Sequence, residues 1–183
     1  MNAPFPLYDR ESAPKESRGV LRAMRNKFGF DLNLFGKLAS SPQTLKAYTG
    51  VNEIFARGSL SPLEQQVVLL TVSHFHGCDY CVAAHVTGSL ANKLPSKVIR
   101  AVAAGQVIED AKLEALRRYT RQMVEQRGHL QEGQLQAFLD AGYSHENALE
   151  VITGIALKTI SNYANHIMDT PLDEPFNTNL QNK

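Results

Sequence analysis

A chain of 183 residues, 43% apolar and 20% charged, is long enough for one domain with a buried core. Its formal net charge of +1 offers no basic footprint for nucleic acid or for an anionic membrane surface. No apolar run approaches the ~20 residues that a membrane-spanning helix needs, so no membrane partner is expected.

Residues 1–17 carry three prolines and no helical period, and they read as an extended arm. They lack the basic-then-apolar order of a secretory signal, so a cytoplasmic location is expected. From Arg18 onward one helical domain is predicted, running to residue 170. Val20, Leu21, Met24 and Phe28 recur at helical spacing, and Leu32, Phe35 and Leu38 suggest a short second helix. Ser41-Pro42 opens a third, with Leu45, Tyr48, Val51 and Phe55 as its buried stripe.

Ser61-Pro62-Leu63-Glu64 is a helix start with a capping box, which gives Glu64 a structural task. That helix should stop at Gly77, and the next should run from about Cys78 to about Asn92. Further helices are predicted from Pro95-Ser96 to Gly105, from Asp110 to about Arg127, and around Leu135, Phe138 and Leu139. Ser144 caps the last long helix, expected to bury Leu149, Ile152, Ile155, Ala156, Thr159, Ile160 and Tyr163. Pro171 and Pro175 prevent the helix from continuing, leaving residues 171–183 as a polar tail. No strand-like alternation appears, so the fold class is all-α.

The stretch from Leu60 to Leu90 holds five of the chain's eight cysteines and histidines: His74, His76, Cys78, Cys81 and His85. Reduced cysteines this close together point to redox or metal chemistry before structural stapling. Cys78 and Cys81 fall on the first turn of a helix, where free N–H groups and the dipole favour the thiolate. His85 follows Cys81 by four residues and shares its helix face, as a base for the thiol proton, directly or through a water. A zinc site formed by Cys78, Cys81, His85 and either His74 or His76 is the metal alternative. Asn162-Tyr163-Ala164-Asn165-His166 is the second place of interest. It is either a polar seam that pins helix packing or a wall of the cysteine pocket formed by His166 or Asn162.

The run LSPLEQQVVLLTVSHFHGCDYCVAAH closely resembles the core of the AhpD-like alkylhydroperoxidases within the carboxymuconolactone decarboxylase family. KTISNYANH is similar to the closing helix of that family. The resemblance implies an AhpD-like helical bundle that forms homo-oligomers, with no cofactor and no metal. It implies a thiol-dependent peroxidase of peroxiredoxin type, acting on hydrogen peroxide or an alkyl hydroperoxide. Cys81 would attack the peroxide, Cys78 would resolve it, His85 would belong to the proton relay, and an external thiol or dithiol would restore the pair. The relay glutamate of the family falls at Gln66, which accepts hydrogen bonds but no proton, so a glutamate there should raise activity. Tyr80 replaces the histidine found between the cysteines of the best-known member. The other activity associated with the family, lactone decarboxylation, works without a cysteine pair. A non-catalytic thiol sensor is the remaining alternative.

Overall fold

The computed structural model describes residues 5–177, and within them nine α-helices and one 3-10 turn form with no strand. The helices are α1 (Lys15–Phe28), α2 (Asn33–Leu38), α3 (Pro42–Ala56), α4 (Pro62–Phe75), α5 (Asp79–Ala91), α6 (Ser96–Ala103), α7 (Ala111–Glu125), α8 (Gln134–Asp140) and α9 (His145–Met168). The starts obey the capping chemistry of the sequence. Ser41 accepts from Thr44 N–H, Asp110 accepts from Leu113 N–H, and Ser61 with Glu64 closes a reciprocal capping box. A cap of this kind contributes about 1 kcal/mol.

Helix α4 is the axis of the domain. Seven consecutive residues, Val67 to Ser73, are buried, as befits a helix surrounded on every side. Helices α5, α6, α7 and α9 all pack on it. The approach of α9 depends on Gly154, where an added Cβ would stand 2.7 Å from Val68 Cγ1 and 3.0 Å from Phe55 Cε2. A side chain there would force α9 away from α3 and α4. At the end of α4 the chain reverses through Gly77, whose φ of +67° is costly for any other residue, and α5 begins at once.

The structure departs from the sequence reading in three places. Helix α1 starts at Lys15, and the described part of the arm lies on its own chain: Tyr8 N–H donates to Gly36 O, and Lys37 Nζ donates to Phe5 O. Residues 1–4 of the arm and 178–183 of the tail lie outside the described residues. The tail is not wholly polar in its packing, because Asp173 and Phe176 are buried. The largest correction concerns α9. Leu149, Ile152 and Tyr163 are 67%, 46% and 55% exposed, on the face opposite the core. The core face carries Val151 and Leu157 together with Gly154, Lys158, Ser161, Asn162 and Asn165, small or polar residues that a hydrophobic period does not register.

Candidate active site

Both cysteines are reduced and buried, each 2% exposed. Cys78 is the N-cap of α5 and Cys81 stands in its first turn. Position 158 lies four residues beyond Gly154, and positions 161 and 165 continue the same face of α9. Because Gly154 brings α9 close, that face meets the sulfurs. Asn165 Nδ2 donates to Cys81 Sγ at 3.2 Å and reaches Cys78 Sγ at 3.7 Å. Ser161 Oγ lies 3.8 Å from Cys81 Sγ, and the buried Tyr48 hydroxyl is bonded to Ser161.

The two thiols are electrostatically unlike. The S–H of Cys78 donates to the Cys81 sulfur, which holds the Cys81 thiol well below the usual cysteine range. Burial opposes this, but the Lys158 charge and hydrogen bonds from Ser161 and Lys158 reinforce it. Cys78 is pushed up, first by the same bond and then by burial. The pair thus rests as one thiolate and one thiol, with the charge on Cys81.

His85 does not touch this thiolate as a base. Its Nδ1–H donates to Gln66 Oε1 at 2.9 Å, and its Nε2 accepts from Lys158 Nζ at 3.0 Å. Lysine ammonium can only donate, which fixes this tautomer. Burial and the neighbouring Lys158 charge hold the imidazole well below its usual range, so it is neutral. Lys158 itself is 1% exposed. The order across the site is therefore Cys81, Lys158, His85, Gln66.

The other predicted positions separate. Asn162 is buried and accepts from His76 Nδ1 at 3.0 Å, while the His76 ring rests on Tyr163 at 5.3 Å between centroids. Asn162 Nδ2 and Asn165 Oδ1 are buried without a protein partner. His166 is exposed and turns away from the pocket that Asn165 enters. Tyr80 donates to the buried Asp173 carboxylate and accepts from Leu34 N–H, so it pins the C-terminal segment. His74 Nδ1 bonds Ala103 O. With the three histidines committed in this way, no group of three or more His, Cys, Asp or Glu suited to a metal forms among the described residues. The zinc alternative lacks its ligand set.

Residues 42–122 match the model of the carboxymuconolactone decarboxylase family. Over that stretch the helical core is similar to that family. The family region contains Gln66, Cys78, Cys81 and His85, whereas Lys158, Ser161 and Asn165 lie beyond it. The whole fold is AhpD-like. It superposes with a TM-score of 0.84 on the alkylhydroperoxidase AhpD core of a peroxidase-related protein from Ralstonia eutropha JMP134, at 20% identity, covering 94% of this chain and 93% of that one. A peroxidase-related protein from Silicibacter sp. TM1040 gives 0.80 at 16% identity, over 94% and 91% of the two chains. The debrominase Bmp8 gives 0.82 at 20% identity, over 99% and 98%. A search of curated proteins finds no sequence match. No helix among the described residues is long and apolar enough to cross a membrane.

Proposed function

We propose that the protein is a cytoplasmic thiol-dependent peroxidase, with hydrogen peroxide or an alkyl hydroperoxide as substrate. The observation that carries this reading is the asymmetry of the buried pair: a stabilised thiolate at Cys81, with a protonated thiol at Cys78 within reach of the same Asn165 amide. The Cys81 thiolate attacks the terminal peroxide oxygen, the O–O bond breaks, and a sulfenic acid forms. Cys78 then condenses with it, releasing water and closing a disulfide. An external dithiol reduces that disulfide and completes the cycle. The lactone reaction uses no thiol, so the electrostatics of this pair do not favour it.

The order of the cysteines is tested by treating reduced protein with one equivalent of peroxide and trapping sulfenic acid with a dimedone-type probe. Cys78→Ser should accumulate the trapped adduct on Cys81, and Cys81→Ser should consume almost no peroxide. Adduct on Cys78 at the wild-type rate would reverse the assignment. Sustained consumption with a dithiol separates an enzyme from a sensor, which stops after one turnover. Because Bmp8 is a debrominase, a brominated aromatic belongs among the oxidants tried.

We also infer that the chain self-associates through α9. Leu149, Ile152, Ala156, Tyr163 and Ile167 form an exposed stripe at steps of three, four, seven and four residues, with Ile160 beside it. Antiparallel pairing of two copies about Ala156 sets Leu149 against Tyr163, Ile152 against Ile160 and Glu146 against His166. The small residue falls at the crossing and a carboxylate faces an imidazole at each end. The described part of the N-terminal arm packs on its own α2.

A further inference from the structure

Lys158 is buried at 1% exposure, yet the run KTISNYANH that it opens carried no role for it in the sequence. Its ammonium donates to His85 Nε2 at 3.0 Å, and its charge also lowers the pKa of the Cys81 thiol one turn earlier in α5. This arrangement inverts the chemistry expected of a Cys-His pair. The histidine lone pair is occupied by Lys158, and the other ring nitrogen is a donor to Gln66. His85 therefore has nothing with which to remove a proton from Cys81. Nor is such a base needed, because the sulfur is already held as a thiolate.

The step that lacks a proton is the next one. When the thiolate attacks R–O–OH, the sulfur is oxidised to the sulfenic acid and the O–O electron pair leaves on the inner oxygen as RO⁻. An alkoxide is a poor leaving group unless it is protonated as the bond breaks. The leaving oxygen departs in line with the attacking sulfur, on the far side of the attacked oxygen, and needs a donor that lines the same pocket. Asn165 and Ser161 are neutral donors with no proton to lose at neutral pH. Lys158 is the charged donor whose influence reaches the sulfur, and it is buried in the same site beside His85.

We propose that Lys158 is the catalytic acid of the peroxide-cleaving step, transferring its proton to the departing alkoxide as Cys81 becomes the sulfenic acid. His85 and Gln66 are positioning residues: the neutral imidazole aims the ammonium, and the Gln66 carbonyl keeps the imidazole in the tautomer that can accept from it. The resulting amine regains its proton from solvent before the next turnover. On this account Gln66 is matched to Lys158, because an uncharged acceptor keeps His85 neutral. The proposal rests on the thiol-peroxidase reading, and the test separates the two.

The reduced full-length protein is mixed with cumene hydroperoxide, hydrogen peroxide and peracetic acid, and single-turnover oxidation of Cys81 is monitored. Peracetic acid releases acetate, which leaves without a proton. Rates are compared at a pH where thiolate absorbance shows Cys81 fully ionised in each variant. Lys158→Met should slow the reaction with cumene hydroperoxide by about 10²–10⁴-fold and with peracetic acid by less than about 10-fold. Lys158→Arg keeps the positive charge but holds its proton too tightly to act as the acid. It should restore the thiolate and stay slow with the hydroperoxide, which keeps the test valid should the methionine variant fold poorly. An equal loss with all three oxidants, or full recovery in the arginine variant, would reduce Lys158 to an electrostatic support and overturn the proposal. Wild-type protein inert to all three would remove the peroxidase reading itself, and this assignment with it.

Discussion

Lys158 Nζ donates to His85 Nε2 across 3.0 Å, and with that bond made the imidazole has no lone pair left for Cys81. The cysteine is instead ionised by donors around it. Its thiolate persists above a lowered pKa and is lost only as pH falls through that value. Alkylation of Cys81 by iodoacetamide should therefore run at a constant rate from mildly alkaline through neutral pH and decline only in acid. In His85→Ala the same profile should persist, with a neutral-pH rate within about 10-fold of wild type, well short of what a lost general base costs. A fall at neutral pH that recovers at high pH would restore His85 to the role of base.

Gln66→Glu reverses an expectation drawn from the sequence. A carboxylate against Nδ1–H favours the imidazolium, which cannot accept from Lys158 and repels it. The variant should be slower with alkyl hydroperoxides at neutral pH, and the His85 ring should titrate at a higher pH by NMR. A faster variant would show that the site lacks a proton acceptor after all.

Among the described residues, Asn165 is the one side chain whose amide reaches both sulfurs. Asn165→Ala removes a hydrogen bond to a charged acceptor, worth about 1.5–3 kcal/mol. The acid limb of Cys81 alkylation should shift upward by about one to two pH units. The sulfenic acid should also live longer, since the two sulfurs lose their common tether. An unchanged limb would show that the amide does not support the thiolate.

Ile152 stands in the middle of the exposed α9 stripe, 46% accessible. Ile152→Glu leaves the core untouched and places two like charges near the proposed crossing. Light scattering at micromolar concentration should report an oligomer for the natural protein and a monomer for the variant. A monomer in both cases would remove the α9 contact.

Tyr80→Phe takes the hydroxyl from a buried carboxylate at Asp173. Unfolding stability should fall by about 1–3 kcal/mol. Hydrogen exchange should rise in residues 170–177, while Cys81 alkylation changes little. Faster alkylation of Cys81 would instead tie the C-terminal segment to access at the sulfurs.

The features legible in the sequence are those that local rules govern. Ser41, Ser61, Asp110 and Ser144 cap helices because their oxygens accept from N–H groups three residues on. Cys78, Cys81 and His85 drew notice because rare, chemically reactive residues stood at helical spacing. The run that holds Lys158, Ser161 and Asn165 drew notice, but the pocket wall was assigned to His166 or Asn162, since nothing local records which residues meet partners some eighty positions away. The hydrophobic period of α9 even pointed the wrong way, because the richer apolar stripe faces outward. The signal that was available was Gly154 with 158, 161 and 165 on one face: a close-packed small residue, then polar side chains that had to be buried with it.

The burial of both sulfurs carries a kinetic consequence. An oxidant of a few atoms needs only a transient gap to reach Cys81, whereas a reducing protein must bring its own thiolate into line with the disulfide. Oxidation and reduction of the pair should therefore meet barriers of different height, with small oxidants admitted more readily than bulky reductants.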